Sequence, residues 1–339
     1  MSEQSTSAQN KTRKDGLRTA EHVFRGHPDK VCDQIADAIL DFCLTTDPAS
    51  RTAVEVLGSH GSLMVGGEVT TSAQLDVKAA VQRVYRDIGY RDDLEIFEKI
   101  VQQSPEIANG VDTGGAGDQG IMVGYATAET PELLPLELVL ARRLAGKLEA
   151  EGFGPDGKTQ VTLRGLDVVS VTASVQHSPD TPLESVRAAV AKTIASVIGD
   201  VPEIHVNPAG SFTIGGFEAD AGLTGRKIII DQYGPQIPAG GGAFSGKDGT
   251  KVDRSAAYMA RKVACDFVRR GADSALVKIA YAIGVAEPVM VSAEVDGKDV
   301  AVTGYDLRPW AIIEQLGLDT PLFEQTARAG HFGHGFAWD

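Results

Sequence analysis

Long apolar runs are missing from this 339-residue chain; none approaches the ~18 residues that a membrane-spanning helix requires. The opening residues, MSEQSTSAQNKTRKDG, have no apolar signal core, and residues 1–17 read as a disordered polar tail rather than a targeting segment. Cysteine is scarce. Cys32, Cys43 and Cys265 form no CxxC or Cys/His cluster, which leaves no metal spacing and points to reduced thiols in a cytoplasmic enzyme. G-x-S-x-G and H-E-x-x-H are both absent, so hydrolases built on an activated serine or on zinc have no support. The pair His331 and His334 lacks a helical context and reads as surface or packing. Positive charge is also short: 46 acidic residues against 32 basic ones give −14, which argues against nucleic acid and membrane surfaces as partners.

Against that background one stretch stands out, Ala239 to Arg254, AGGGAFSGKDGTKVDR. Its glycines allow tight bends and close approach of the backbone to a ligand. Lys247 and Lys251 stand four apart, with Asp248 and Asp253 among them, and a periodic helix follows. Backbone N–H groups, a helix N-terminus, ammonium groups and carboxylates able to hold Mg²⁺ describe a polyphosphate site. From Arg226 to Arg270 nine basic residues face four acidic ones, a local inversion inside an acidic chain. A solvated basic face on helix 253–270 is the plainer account of that excess. Gly241 to Lys247 has the G-x-x-x-x-G-K spacing of a P-loop, but Asp248 stands where Ser or Thr belongs. The preceding strand is also far upstream, beyond Pro235 and Pro238. A P-loop-like ATPase or kinase and a purely structural glycine loop stay open as alternatives.

The length suggests two or three domains, and 42% hydrophobic with 23% charged residues is ordinary for a globular protein. His27-Pro28-Asp29 leads into a helix to about Leu44, whose buried face is Val31, Ile35, Ala38, Ile39 and Phe42. Asp29, Asp33, Asp37 and Asp41 lie at i, i+4 on another face and read mostly as solvated surface. Thr52–Leu57 and Leu63–Thr71 form a hairpin around GSHGS, with a helix at Leu75–Ile88. The polar, glycine-rich run from Gln102 to Gly120 suggests a lid. Strand 121–129, helix 136–150, two alternating strands and helix 183–198 make a middle block. IHVNPAGSFTIGG and Lys227–Asp231 read as strands; helix 253–270, three more strands and a helix at 309–316 close the chain. LMVGGEVTT, IMVGYATAET and SFTIGG echo one another, a hint of triplication. Adjacent strands favour α+β layers over a doubly wound sheet.

GHPDK (Gly26–Lys30), GAGDQGIMVGYATAET (Gly115–Thr130), GLTGRKIIID (Gly222–Asp231), GGGAFSGKDGTKVDRSAAYMARKVA (Gly240–Ala264) and YAIGVAEP (Tyr281–Pro288) carry a specific likeness. Together they resemble the S-adenosylmethionine synthetase (methionine adenosyltransferase) family, in order, from about Thr19 to the terminus. The resemblance implies sulfur attack of methionine on C5′ of ATP, with intact triphosphate released and then cleaved to pyrophosphate and phosphate. Such a reaction needs alignment and charge stabilisation rather than a covalent nucleophile.

The resemblance also assigns roles. His27, Lys158, Lys247 and Arg226 would be catalytic. ATP and its phosphates would meet His27, Asp156, Lys158, Phe212 (stacked on adenine), Asp220, Arg226, Lys227, Ala243 and Lys247. Methionine would meet Glu68, Gln103, Asp118, Asp220 and Lys251. Asp29 and Asp253 would each hold one of two Mg²⁺ per site, and Glu55 a K⁺. The implied fold is α+β, three similar α/β-layer domains related by pseudo-threefold symmetry, with segments crossing between them. Their expected ranges are 18–112, carrying a flexible lid near 102–114, then 113–213 and 214–339. A homodimer, or a tetramer as a dimer of dimers, would place active sites at the subunit interface. The chain departs from the family pattern at Phe24-Arg25, which brings positive charge near His27, at Ser211 and at Ala239. A non-catalytic nucleotide-binding paralogue is thus a further alternative.

Overall fold

Two successive blocks share one order of elements and a third varies it in the computed structural model, which describes residues 16–102 and 114–339. The first has β1 (Leu17–Val23), α1 (Pro28–Thr46), β2 (Arg51–Ser59), β3 (Ser62–Thr70), α2 (Val77–Ile88) and β4 (Glu95–Val101). The second has β5 (Gly120–Thr127), α3 (Leu136–Ala150), β6 (Gly157–Arg164), β7 (Asp167–Val175), α4 (Leu183–Val197) and β8 (Glu203–Val206). The third opens with β9 (Gly222–Leu223) and a short α5 (Ile228–Asp231), followed by α6 (Val252–Arg269). It continues with β10 (Ser274–Tyr281), β11 (Met290–Val295), β12 (Lys298–Val300), α7 (Pro309–Leu316) and α8 (Phe323–Ala329).

Each block builds a hairpin and lends its opening strand elsewhere. The sheets run β4-β3-β2-β9, β1-β6-β7-β8 and β12-β11-β10-β5. β1 lies antiparallel to β6 of the second block, β5 to β10 of the third, and β9 to β2 of the first. The lending is cyclic, so no block completes its own sheet and the blocks fold interdependently. This is the three-domain α+β fold that the motifs implied, with the crossing segments now identified as strands. One face of each sheet is covered by helices, α1 and α2 on the first, α3 and α4 on the second, α6 and α7 on the third, giving three separate cores.

Local chemistry explains the elements that position the site. Pro28 opens α1, and the His27 side chain caps it by accepting the Asp29 N–H. His60 and Gly61, at φ 41° and 74°, form a two-residue turn that matches the twist of the β2–β3 hairpin. The third core is closed by the C-terminus: Trp338 stacks 3.9 Å from Tyr258 and donates to the His331 carbonyl at 2.8 Å. His331 is buried against the Tyr258 hydroxyl at 2.7 Å, a packing residue.

Several expectations from sequence are corrected. Leu17 already belongs to β1, inside the stretch assigned to the tail. Phe42 is exposed, because α1 is buried almost all round and Leu40, Cys43 and Leu44 take the inner positions. Ile228–Asp231 is a helical turn, not a strand; Asp231 N–H bonds the Lys227 carbonyl, and Arg142 takes the carbonyls of residues 230–232. No strand follows β8 until β9, so SFTIGG is loop. The triplication is present, yet its sequence echoes fall on a hairpin strand, a lent strand and a loop, which are not equivalent positions. Helix α6 has no simple solvated basic face, since Arg254 and Arg261 are fully buried.

Candidate active site

The stripe Asp29, Asp33, Asp37 and Asp41 is the largest departure from expectation. Asp29, Asp33 and Asp37 are buried and Asp41 is half-buried, each fixed by groups from the third block. Buried carboxylates survive only when their lone pairs are met, and here backbone N–H groups and cations meet them.

At the first turn of α1 these contacts assemble a cationic cluster. Asp29 accepts the Leu223 N–H at 2.9 Å, binds the Lys227 ammonium and lies 3.5 Å from the Arg226 guanidinium. His27 stands beside them; burial first, then Lys227, push its imidazole down to about 4, with Asp29 pulling the other way. Lys158 and Asp220 also act on it electrostatically, which places both nearby. Asp156 is buried, accepts the Gly216 N–H at 2.9 Å, and is pushed up to about 6 by burial. Phe212 is half-buried and fixed through its backbone on both sides of His177. A cavity of about 380 Å³ adjoins the cluster, lined by Thr19, Glu21, Gln160, Arg226, Lys227 and Ile229. Glu21 pairs with Lys158 at 3.2 Å and was missed from sequence, because β1 itself carried no pattern that signalled it.

A second cluster forms where the glycine-rich loop docks on β2. Lys247 makes an isolated antiparallel bridge to Ala53 on β2, and Val54 N–H donates to the Gly246 carbonyl at 3.1 Å. The Lys247 ammonium meets Asp253 at 2.7 Å. A Cβ on Gly120 would stand 3.5 Å from that carboxylate, so the loop bearing the exposed Asp118 borders it. Partial burial raises the pKa of the Glu55 carboxyl, while Lys247 and the Thr224 hydroxyl pull it down, so Glu55 stands close to both of them. Glu68 sits in register with Ala53 on β3. Lys251 is tied to the buried Asp248, which also accepts the N–H groups of Thr52 and Thr250; Asp248 is thus the loop's anchor. Ala243 packs against Gly225, leaving no room for a side chain there.

Among the described residues, no hydrogen bond or ion pair joins Lys247, Lys251 or Asp253 to His27, Asp29 or Lys227. Gln103 and residues 103–113 of the expected lid lie outside the described residues. Ser211 is exposed. Arg25 does not charge His27's surroundings: its N–H meets Glu149 at 2.6 Å and its guanidinium feels Arg328, Glu149, Asp87 and Glu324.

The tautomer of His27 follows from its cap. Because Nδ1 accepts the Asp29 N–H at 3.2 Å, the neutral ring carries its proton on Nε2. Long-range ¹⁵N NMR is expected to show that tautomer from pH 8 down to about 5, whereas a titration centred near 6.5 would remove the desolvated setting. Between 6.5 and 4 the unfolded chain holds more protons at this ring, so its contribution to stability falls as pH is lowered through that window.

Two clusters of basic side chains paired with carboxylates on glycine-rich backbone make an α+β enzyme site suited to polyphosphate. Three family descriptions match the chain in order: S-adenosylmethionine synthetase, N-terminal domain (residues 15–108), central domain (113–212) and C-terminal domain (214–339). The S-adenosylmethionine synthase of Sorangium cellulosum (strain So ce56) is 47% identical over 365 residues, spanning 95% of this chain and 86% of that protein. Those of Desulforudis audaxviator (44% identical; 94% of this chain, 93% of that one) and Thermus thermophilus (43%; 95% and 95%) are similar along almost their whole length. The chain belongs to the S-adenosylmethionine synthetase family.

Proposed function

We propose that the two clusters are the two halves of one adenosyl-transfer site, each chain contributing one half to a site shared with a second copy. The chain is a transferase that makes S-adenosylmethionine from ATP and L-methionine. The carrying observation is the gathering of His27, Asp29, Arg226 and Lys227 at the start of α1. In the proposed step a lone pair on the methionine sulfur forms the bond to C5′, and the C5′–O5′ bond breaks with its electrons on the triphosphate. No general base is needed, since a thioether has no proton to lose. Negative charge grows on the departing oxygen, where the Nε2–H of neutral His27 donates, and Arg226, Lys227, Lys158 and Lys247 stabilise the polyanion. Water then divides the triphosphate into pyrophosphate and phosphate.

Substrate roles follow the same arrangement. Phe212 offers a ring face to adenine, with Asp156, Asp220 and the backbone at Ala243 as further nucleotide contacts. Glu68, Asp118, Lys251, Asp220 and Gln103 are the proposed methionine contacts. The carboxylates suit Mg²⁺: Asp29 and Asp253 each stand beside a lysine of the proposed phosphate-binding set, and a single carboxylate is what Mg²⁺ takes alongside substrate phosphate oxygens. Two Mg²⁺ so bound would supply charge neutralisation on the triphosphate, and Glu55 is the proposed K⁺ ligand.

The partner surface is the open face of the first sheet. Leu223, Leu57, Met64 and Phe97 stand in one cross-strand row there, 38%, 48%, 38% and 49% exposed. A contiguous apolar row rimmed by Glu55 and Glu68 is the surface of a pairing interface, which supports a homodimer whose sites lie between chains, with dimers pairing further into tetramers. Cytoplasmic location is proposed from three buried, unpaired cysteines; among the described residues no helix is long and apolar enough to cross a membrane. We propose the chain ranges 18–112, extended by Leu17 so that β1 stays whole, 113–213 and 214–339 as the three domains.

The test is purified protein with ATP, Mg²⁺ and K⁺, with and without methionine, followed by mass spectrometry. Methionine-dependent S-adenosylmethionine with pyrophosphate and phosphate is the expected result. Methionine-independent ADP would favour a kinase or ATPase, and nucleotide binding without turnover a non-catalytic paralogue.

A further inference from the structure

Three carboxylates of the α1 stripe have no part in the chemistry above, yet they are among the most fully engaged side chains in the molecule. Successive rungs are about 6 Å apart along the helix. Asp33 accepts the Gly225 N–H at 2.8 Å, just before Arg226 and Lys227. Asp37 accepts the Gly246 N–H at 2.8 Å, just before Lys247. Asp41 caps α8 through the N–H groups of Leu322, Phe323 and Glu324. One helix thus spaces both cationic arms.

The second arm is held most completely. Asp37 and Arg254 are both wholly buried and form a two-pronged pair at 2.6 and 2.8 Å. Arg254 also donates to the carbonyls of Phe244 at 2.9 Å and Lys247 at 3.0 Å, and its plane lies 4.2 Å from the Phe323 ring centroid. The pair therefore grips three backbone groups of the four-residue turn that carries Lys247. Stability is a weak reason to keep such a pair, since apolar residues of similar volume often serve a core as well or better. What apolar residues cannot do is fix the N–H of Gly246 and the carbonyls on either side of it.

We propose that the buried Asp37–Arg254 pair is a positioning device for Lys247, holding its backbone so that the ammonium meets the leaving polyphosphate. Neither residue touches substrate; both act through the loop. The inference rests on the role given to Lys247 above, and the experiment separates the two.

Steady-state kinetics are compared for wild type, Lys247→Ala, Asp37→Asn, and Asp37→Asn combined with Lys247→Ala. A second variant, Asp37→Leu with Arg254→Met, exchanges the pair for apolar volume and is also placed on the Lys247→Ala background. Thermal unfolding is recorded for each. Asp37→Asn and the apolar exchange are expected to lower kcat roughly ten- to a hundredfold with the KM for methionine little changed, as misplacement of a charge-stabilising group would. On the Lys247→Ala background both are expected to cost less than twofold more. Equal losses on both backgrounds would make the pair a general structural element and overturn the proposal, as would failure of both variants to fold. Normal turnover in Asp37→Asn or in the apolar exchange also overturns it. A normal kcat in Lys247→Ala alone overturns the site reading itself, and the positioning role with it.

Discussion

Lys247→Ala is expected to lower kcat by roughly a hundredfold, the usual cost of removing a group aimed at developing charge, while the protein remains folded. The second half of that expectation comes from how the loop is held. Gly246 and Lys247 are fixed by backbone bonds to Val54, Thr52, Asp37 and Arg254, none of which involves the Lys247 side chain. Truncation deletes one partly buried ion pair with Asp253, whose carboxylate is still 20% exposed and can be hydrated in its place, so the cost to stability should be small. The loss should therefore appear in turnover, with unfolding temperature nearly unchanged. Lys251 is a useful contrast, because its ammonium is committed to Asp248, the anchor of the same loop. Lys251→Ala should weaken both turnover and stability. If Lys247→Ala turned over at a near-normal rate, Lys247 would have to be removed from the charge-stabilising set, leaving Arg226, Lys227 and Lys158.

The site was legible wherever its residues sit close together in sequence. The resemblance put His27 and Asp29 in one motif, and residue type and spacing put Lys247, Lys251 and Asp253 in another, so these members of the proposed site could be named in advance. What could not be read were groups whose meaning comes from a distant partner. Glu21 matters because it faces Lys158, on a strand lent to another block. The acidic stripe looked solvated because i, i+4 aspartates on a helix normally are, and their N–H and cationic partners lie some two hundred residues onward. The fold shows the same division. Helices with their own apolar period, such as α3, were placed to the residue. Helix α8 has only seven residues, too few to announce themselves, and Asp41 holds its first turn from far away. The run Ile228-Ile229-Ile230-Asp231 has the composition of a strand, but Arg142 binds its carbonyls and leaves it a helical turn. Cyclic exchange of β1, β5 and β9 has no local signature at all.

Gly246→Ala is expected to be the most damaging single-methyl substitution in the glycine-rich loop. Gly246 has φ 84°, and a Cβ there would lie 2.0 Å from the Val54 carbonyl oxygen and 3.3 Å from the Ala36 side chain. The obstacle on one side is backbone of β2, which cannot yield as a flexible side chain can. Moving the loop away would break the Val54 N–H bond to Gly246, the Thr52 hydroxyl bond at 2.9 Å and the Gly246 N–H bond to Asp37. The buried Asp37–Arg254 pair would then be left short of a partner. Left-handed strain and the lost bonds together should cost about 3 kcal/mol or more, so unfolding temperature and activity should fall together. Gly241→Ala is the control: Gly241 also has positive φ, 99°, but nothing stands within 4 Å of its Cβ position. That variant should lose only about 1 kcal/mol from backbone strain. Denaturant unfolding of the two variants side by side separates close approach from backbone conformation. Equal losses would mean that the docking of Gly246 on β2 is not what fixes the loop, and with it the placement of Lys247 would need another cause.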